Sequence, residues 1–349
     1  MRTTQSKRSL ILHAPNIHVG GGLILLKGVL NTKSCSIHWA QLDERAKTIL
    51  NIPTRIIKHF IKNTISSRLL AEYRLWYNVK NTDTVLCFHG LPPLLPISGR
   101  VIVFLQNRML LEQNKLAGFP LQTKLRIFIE RIWIRIRHRN SYRYIVQTPS
   151  MAIAAKRRLS SKLKITILPF IPSTNLLYQP KKNKIQQRRF DFVYIANGEA
   201  HKNHLNLLEA WRLLNEAGLT PSLALTIDHK LYPALANKIV KYNEELDLNI
   251  VNSEQLHRTA VFNLYHSSLA LIFPSLTESF GLPLIEANQF GLPILASERD
   301  FVRDIINPIQ TFDPHSPLSI ARAVRRFLDV PEPPIEISST DDFLEEIMI

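Results

Sequence analysis

The chain has 349 residues, 45% of them hydrophobic, with two cysteines and a mean hydropathy near zero. That content suits two globular domains and argues against a disordered chain, a disulfide framework and, with no apolar run of bilayer length, a membrane-spanning protein. The formal charge of +16 is uneven: residues 1–170 carry 28 Lys and Arg against 6 Asp and Glu, residues 171–349 carry 16 against 22, so nucleic acid, a membrane surface or a phosphorylated lipid would suit the first half on charge alone.

At the N-terminus, Lys7 and Arg8 precede an apolar run (Leu10–Leu12) that His13, Pro15 and Asn16 cut short. A signal-peptide core needs more, so a cytoplasmic protein is expected. Cys35 and Cys87 lie far apart, and Cys87 sits inside the apolar run TVLCF, which fits a reducing compartment.

Short β-branched runs then alternate with longer amphipathic ones. Strands are predicted at 9–13, 83–88, 100–105 and 142–147, with helices at 22–30, 67–78 and 150–159. The stretch HAPNIHVGGG (His13–Gly22) follows a strand and opens a helix, where Gly20, Gly21 and Gly22 can turn backbone N–H groups toward an anion. His89 ends one strand in CFHG, and Gln106, Asn107 and Arg108 end the next in VIVFLQNR. On a helical wheel, residues 124–143 place Leu125, Phe128, Ile129, Ile132, Trp133 and Ile136 on one broad face, with Arg126, Arg131, Arg135 and Arg137 flanking or opposite. Ile127 and Ile134 fall among those arginines. Exposed isoleucines beside a basic face suit an anionic headgroup layer, while the alternation IWIRIRHR also permits a strand.

Residues 172–189, with prolines and a terminal basic run, form the expected linker between a domain at 1–171 and another at 190–329. In the second half, strands are predicted at 190–196, 222–227, 249–251, 269–273 and 294–296, and helices at 203–217, 233–246, 253–267, 283–290 and 317–328. The tail 330–349 ends in a short helix near 341–347. This alternation predicts an α/β protein of two doubly wound parallel sheets.

The run Phe273–Ser297, FPSLTESFGLPLIEANQFGLPILAS, sets Glu278 and Glu286 with seven residues between them around a Gly-Leu-Pro turn. A buried strand delivers the chain through Gly281 to a helix whose first residues include Pro283, and the free N–H groups there favour a phosphate. Glu286, about one turn in, can accept hydrogen bonds from a vicinal diol, and Glu278 can hold hydroxyls of a second sugar.

This run resembles the donor-site signature of the retaining glycosyltransferases of family 4, the glycosyl transferases group 1. The resemblance implies a GT-B architecture, two Rossmann-like domains facing across a cleft. It places Glu278 at the donor sugar and Glu286 at the nucleotide ribose, with Ser279, Phe280, Gly281 and Leu282 lining the turn and Gly20–Gly22 near the phosphates. Phe192–Leu214 matches the family's first donor-domain strand, loop and helix, and Lys202 matches its diphosphate-neutralising residue. Asn197 stands where many members carry arginine, and Gln106-Asn107 where many carry a histidine. Asn107 and Arg108 are therefore acceptor-side candidates, and His89 the substitute for that histidine, grouped with Glu278 and Lys202 as catalytic.

No Asp-x-Asp, His-Glu-x-x-His, paired cysteines or Gly-x-Ser-x-Gly is present, so neither a metal nor a cofactor beyond the nucleotide-sugar substrate is expected. The wording of the first domain is similar to bacterial O-antigen and capsule glycosyltransferases. The expectation is hexosyl transfer from a UDP- or GDP-sugar to a lipid-linked saccharide at the cytoplasmic face of the inner membrane, with 124–143 on the anionic surface. A catalytically silent GT-B scaffold is the alternative. A nucleic-acid-binding protein is a weaker one, since the basic half shows no zinc-finger, RRM or KH pattern and no nucleic-acid partner is expected.

Overall fold

The computed structural model describes residues 9–32, 35–112, 116, 118–172, 188–333, 337 and 339–340. Most of the predicted linker and the short helix near 341–347 lie outside the described residues.

The first sheet is assembled from β1 (Leu10–Ala14), β2 (Ile37–Asp43), β3 (Ile57–Ile61), β4 (Thr84–Cys87), β5 (Arg100–Phe104), β6 (Arg143–Val146) and β7 (Ile165–Ile167), with α1 (Gly20–Leu30), α2 (Ile65–Asn78), α3 (Leu121–Arg137) and α4 (Pro149–Arg158) between them. All its strand pairs are parallel, in the order β3-β2-β1-β4-β5-β6-β7. The second is built from β8 (Phe190–Tyr194), β9 (Leu223–Leu225), β10 (Ile250–Asn252), β11 (Ser268–Phe273), β12 (Ile294–Ser297) and β13 (Gln310–Phe312), in the order β10-β9-β8-β11-β12-β13, again parallel. Its helices are α5 (His204–Glu216), α6 (Pro233–Leu246), α7 (Arg258–His266), α8 (Leu282–Gln289), α9 (Asp300–Arg303) and α10 (Pro317–Phe327). Strands covered on both faces read as nearly continuous apolar runs, and Phe192, Val193, Ala270, Leu271 and Leu295 are fully buried accordingly.

Local chemistry sets several helix starts. Thr148 accepts the Met151 amide at the head of α4 and Ser316 the Ser319 amide at the head of α10, each with proline at the first helical position. In both sheets the strand order reverses beside the first strand. The switch points therefore lie at the carboxyl ends of β1 and β4, and of β8 and β11, where ligands of doubly wound sheets bind.

Several expectations need correction. Strands β2, β3, β7 and β13 were not predicted. In β2 the polar Gln41 and Asp43 disguise a largely buried strand: Gln41 donates to the Ala71 carbonyl at 3.1 Å, and Asp43 takes Arg45. The helix predicted from residue 253 starts at Arg258, because Glu254 adopts a left-handed φ of 56°. The segment 124–143 is not one helix. Instead α3 ends at Arg137, and a 3-10 turn (His138–Asn140) leads into β6.

The wheel of α3 is also turned relative to expectation. Ile127 and Ile134, the two isoleucines among the arginines, are both 0% exposed, with Glu130 between them, while Leu125 (58%), Phe128 (59%), Ile129 (53%) and Ile136 (64%) face outward. The helix touches its sheet through a narrow stripe spaced three and four residues apart, and of its broad apolar face Trp133 packs against the core and donates to the Pro92 carbonyl while the other residues are exposed.

Candidate active site

The chain enters the site through the loop after β8. A 3-10 turn, Ala200–Lys202, leads to Asn203, which holds a left-handed φ of 64° and donates to the carbonyls of Pro274 and Pro314 at 3.0 and 2.7 Å. Tyr194, at the end of β8, clamps the same loop: its hydroxyl donates to the Lys202 carbonyl at 2.9 Å and shares a second 2.9 Å bond with Ser275. The Leu276 amide donates to the His201 carbonyl at 2.8 Å, so the loops after β8 and β11 are stitched together.

This stitching brings Lys202 and Glu278 together. The ammonium donates to Oε1 of Glu278 at 2.6 Å, with both side chains largely buried. Burial opposes the charge on Glu278, but the Lys202 charge and hydrogen bonds from Lys202 and Ser275 hold its carboxyl below the ordinary value. Burial, then Lys202, pushes His201 down, and the same causes push His204 to about 3, so both rings are neutral at physiological pH. One ionised carboxylate and one ammonium remain at the mouth of the site, a pair suited to sugar hydroxyls and a departing diphosphate.

Gly281, with φ of 73°, turns the chain from β11 into α8, whose N-terminus lies beside this pair. Ser279 offers its carbonyl to Thr148 of the first domain at 3.5 Å, while Phe280 and Leu282 are buried in the first domain's core. Glu286 follows about one turn into α8. It is buried, with Oε1 held by Arg258 at 2.6 Å and Oε2 by the Tyr265 hydroxyl at 3.2 Å. A carboxylate offers about four lone-pair sites, so it can still accept from a diol. Reading from sequence missed Arg258 and Tyr265. Their spacing of seven, two helical turns, was the available sign that both face one way.

The first domain supplies the opposite wall. Gly20 (φ 67°) turns the chain into α1, and a Cβ on Gly21 would stand 3.1 Å from the Leu282 side chain, so the glycine loop abuts the start of α8. A Cβ on Gly22 would meet the Gln106 amide oxygen at 3.3 Å, and Gln106 also donates to the Phe88 carbonyl. His89 lies next to this group. Its Nδ1 faces the His13 carbonyl at 3.3 Å, and a carbonyl only accepts, so Nδ1 carries the proton and Nε2 is left as an acceptor. Burial, then His13, pushes its pKa well down, keeping the ring neutral.

Three expected residues do not point into the site as single-purpose ligands. Asn197 accepts the Glu199 amide at 3.4 Å, and Asn107 caps the 3-10 turn that follows it by accepting the Met109 amide at 3.0 Å. Arg108 is drawn across the cleft to Asp300 (2.7 and 2.9 Å) and also bonds Glu112 and Ser150. It is an interdomain clasp rather than an open acceptor contact. The Ser150 amide to Asp304 (2.9 Å) and Thr277 to Glu112 (3.1 Å) complete that seam. Among the described residues no group of three or more His, Cys, Asp or Glu is arranged to hold a metal ion, and no helix is long and apolar enough to cross a membrane.

Two parallel α/β sheets with switch points facing each other define a GT-B fold, and solved structures agree. Sucrose-phosphate synthase from Thermosynechococcus elongatus superposes with a TM-score of 0.69 at 15% identity, covering 92% of this chain and 90% of that one. Anabaena Alr3699/HepE in complex with UDP and glucose gives 0.67 at 14% identity, with the same coverage. Residues 178–339 match the family model described as glycosyl transferases group 1. That match covers 162 of the 349 residues and lies mainly in the second domain. Over 138 residues it is 28% identical to the serotype-specific mannosyltransferase WbdA of Escherichia coli, spanning 39% of this chain but only 17% of the relative.

Proposed function

We propose that this chain is a retaining hexosyltransferase that moves a sugar from a UDP- or GDP-sugar to a lipid-linked saccharide in bacterial surface polysaccharide synthesis. The observation that carries the reading is the Lys202–Glu278 pair at the head of α8, facing the glycine loop of the other domain. Lys202, the α8 terminus and the Gly20–Gly22 amides neutralise the departing diphosphate, Glu278 orients the donor sugar, and Glu286 takes the ribose. His89, with Nε2 free to accept, lies where it can take a hydrogen bond from the acceptor hydroxyl. No separate cofactor is required. On this reading the domains divide at 1–171 and 190–329, with 172–189 between them.

The likeness to a mannosyltransferase that is serotype-specific favours a polysaccharide acceptor and makes a mannosyl donor the first to try. The outward apolar face of α3, beside Arg126, Arg135 and Arg137, favours work at the cytoplasmic face of an anionic inner membrane. Incubation with radiolabelled UDP- and GDP-sugars and a bacterial lipid extract tests the reading. Transfer of label to lipid, or slow donor hydrolysis, supports it; neither with any donor would leave a silent scaffold.

A further inference from the structure

Near the mouth of the first domain, polar side chains from four places in the chain meet around Asn16, in the loop between β1 and α1. Its Oδ1 accepts from two guanidinium groups, Arg68 at 2.9 Å and Arg45 at 3.3 Å, and its Nδ2 donates to Glu130 at 3.4 Å. Arg126, one turn before Glu130 on α3, acts electrostatically on Arg68, Glu130 and His18. Three cations thus face two carboxylates. Asp43 is already spent, with both oxygens taken by Arg45 at 2.9 and 2.7 Å. His18, lowered first by burial and then by Arg45, adds no charge, and burial raises Glu130 in spite of Arg126 and Arg68. Arg126 forms no hydrogen bond or ion pair with a described residue.

Guanidinium groups converging on one neutral amide repel each other, and an anion between them relieves that repulsion. The place has a direction too. Arg68 sits between exposed Ile65 and Leu69 on α2, and Arg126 beside exposed Leu125 and Ile129 on α3, so an apolar surface adjoins the cluster on its outer side. Inward, Asn16 is four residues from Gly20 at the cleft.

From this placement we propose that Arg68 and Arg126, with Arg45 behind them, form an anion subsite for the phosphate that joins a lipid chain to the acceptor saccharide. The inference rests on the reading of a lipid-linked acceptor. It adds the point at which the protein grips it: chain along α2 and α3, phosphate at the arginines, sugar directed to the cleft. Arg68 and Arg126 suit this better than lysines would, because the planar fork matches a phosphate bidentately.

Calorimetric titration of the full chain with a short prenyl diphosphate, with inorganic pyrophosphate and with the matching prenyl alcohol tests the subsite. Each titration is repeated in Lys202→Ala, so that phosphate held at the donor loop is recognised and discounted. Binding of the prenyl diphosphate should persist in Lys202→Ala and weaken about tenfold or more in Arg68→Gln and in Arg126→Gln. Arg139→Gln serves as a control for general surface charge and should bind as the parent does. Pyrophosphate binding with the same dependence assigns the site to phosphate in general. The proposal is overturned if the parent binds neither phosphate, if both arginine variants bind as the parent does, or if the alcohol binds equally well. Arg126→Gln removes no described bond, so a folding defect does not cloud it. Because no sugar is transferred in this assay, its failure leaves the transferase reading to be judged by its own labelling experiment.

Discussion

The Lys202 ammonium stands 2.6 Å from Oε1 of Glu278, a residue 76 positions later in the chain. The pair is held from below by Tyr194 and Ser275, so its geometry belongs to the fold and not to a chance meeting of long side chains. Replacing Lys202 with Met removes the cation and leaves a buried carboxylate without its main partner. Nucleoside diphosphate binding is expected to fall by about 1.5–3 kcal/mol, tenfold or more. Calorimetry with UDP and GDP measures it, and unchanged affinity would remove Lys202 from the diphosphate.

Glu286 is held by Arg258 and Tyr265, partners that its sequence position hides. Glu286→Gln should lower thermal stability, because it leaves the Arg258 guanidinium without its carboxylate, at a cost of about 1–3 kcal/mol. It should also abolish any preference for the ribonucleotide over its 2′,3′-dideoxy counterpart. Tyr265→Phe, which loses only one hydrogen bond, should cost about 0.5–1.5 kcal/mol of stability and keep that preference. Equal binding of ribo and dideoxy nucleotides by the parent would end the ribose assignment.

Transfer should survive chelation. The diphosphate has the start of α8, Lys202 and the glycine loop to balance its charge. The initial rate at saturating donor, with and without EDTA, decides this, and a rate restored only by added divalent metal would mean a differently built donor site.

Acid should weaken the fold. His89, His201 and His204 all have folded pKa values depressed by burial first. As pH falls below about 6.5 the unfolded chain takes protons that these folded rings refuse, so stability is full above that pH and is lost below it. The loss is about 1.4 kcal/mol per pH unit for each ring, continuing down to its folded value. Urea unfolding at about pH 7.5 and about pH 5.5 should therefore show a lower midpoint in acid. A midpoint that does not move would mean the rings are solvated.

The exposed face of α3 makes its own prediction. Changing Ile129 and Ile132 to Ser should reduce co-sedimentation with anionic vesicles, and changing Arg135 and Arg137 to Ser should reduce it further at low salt, each cation contributing about 1 kcal/mol. Neither change should alter nucleotide affinity. If both variants sediment as the parent does, this face is not the anchor.

The donor turn was legible because its parts are local. Glycine, proline and two glutamates at fixed spacing define a strand, a turn and a helix start whatever else the chain does. What holds Glu286 was not, since Arg258 and Tyr265 come from the preceding helix and only packing reveals their aim. The same holds for α3. A wheel separates apolar from charged positions but does not say which stripe touches the sheet, and here the narrow one does, with Ile127 and Ile134. Strand β2 was hidden by Gln41 and Asp43, polar residues paired with the Ala71 carbonyl on α2 and with Arg45 two positions on.

Glu112 gives the seam between the domains a further consequence. One of its oxygens takes Arg108, the residue that reaches across to Asp300, and the other takes Thr277, immediately before Glu278. Separation of the two domains therefore cannot leave Glu278 undisturbed: pulling Asp300 and Thr277 away strips Arg108 and Glu112 of their partners and loosens the turn that presents Glu278. The arrangement around Glu278 is in this sense a joint property of two halves, complete when they are shut and partly dismantled when they part. A donor bound to the second domain alone would meet a less ordered Glu278 than one bound in the closed molecule.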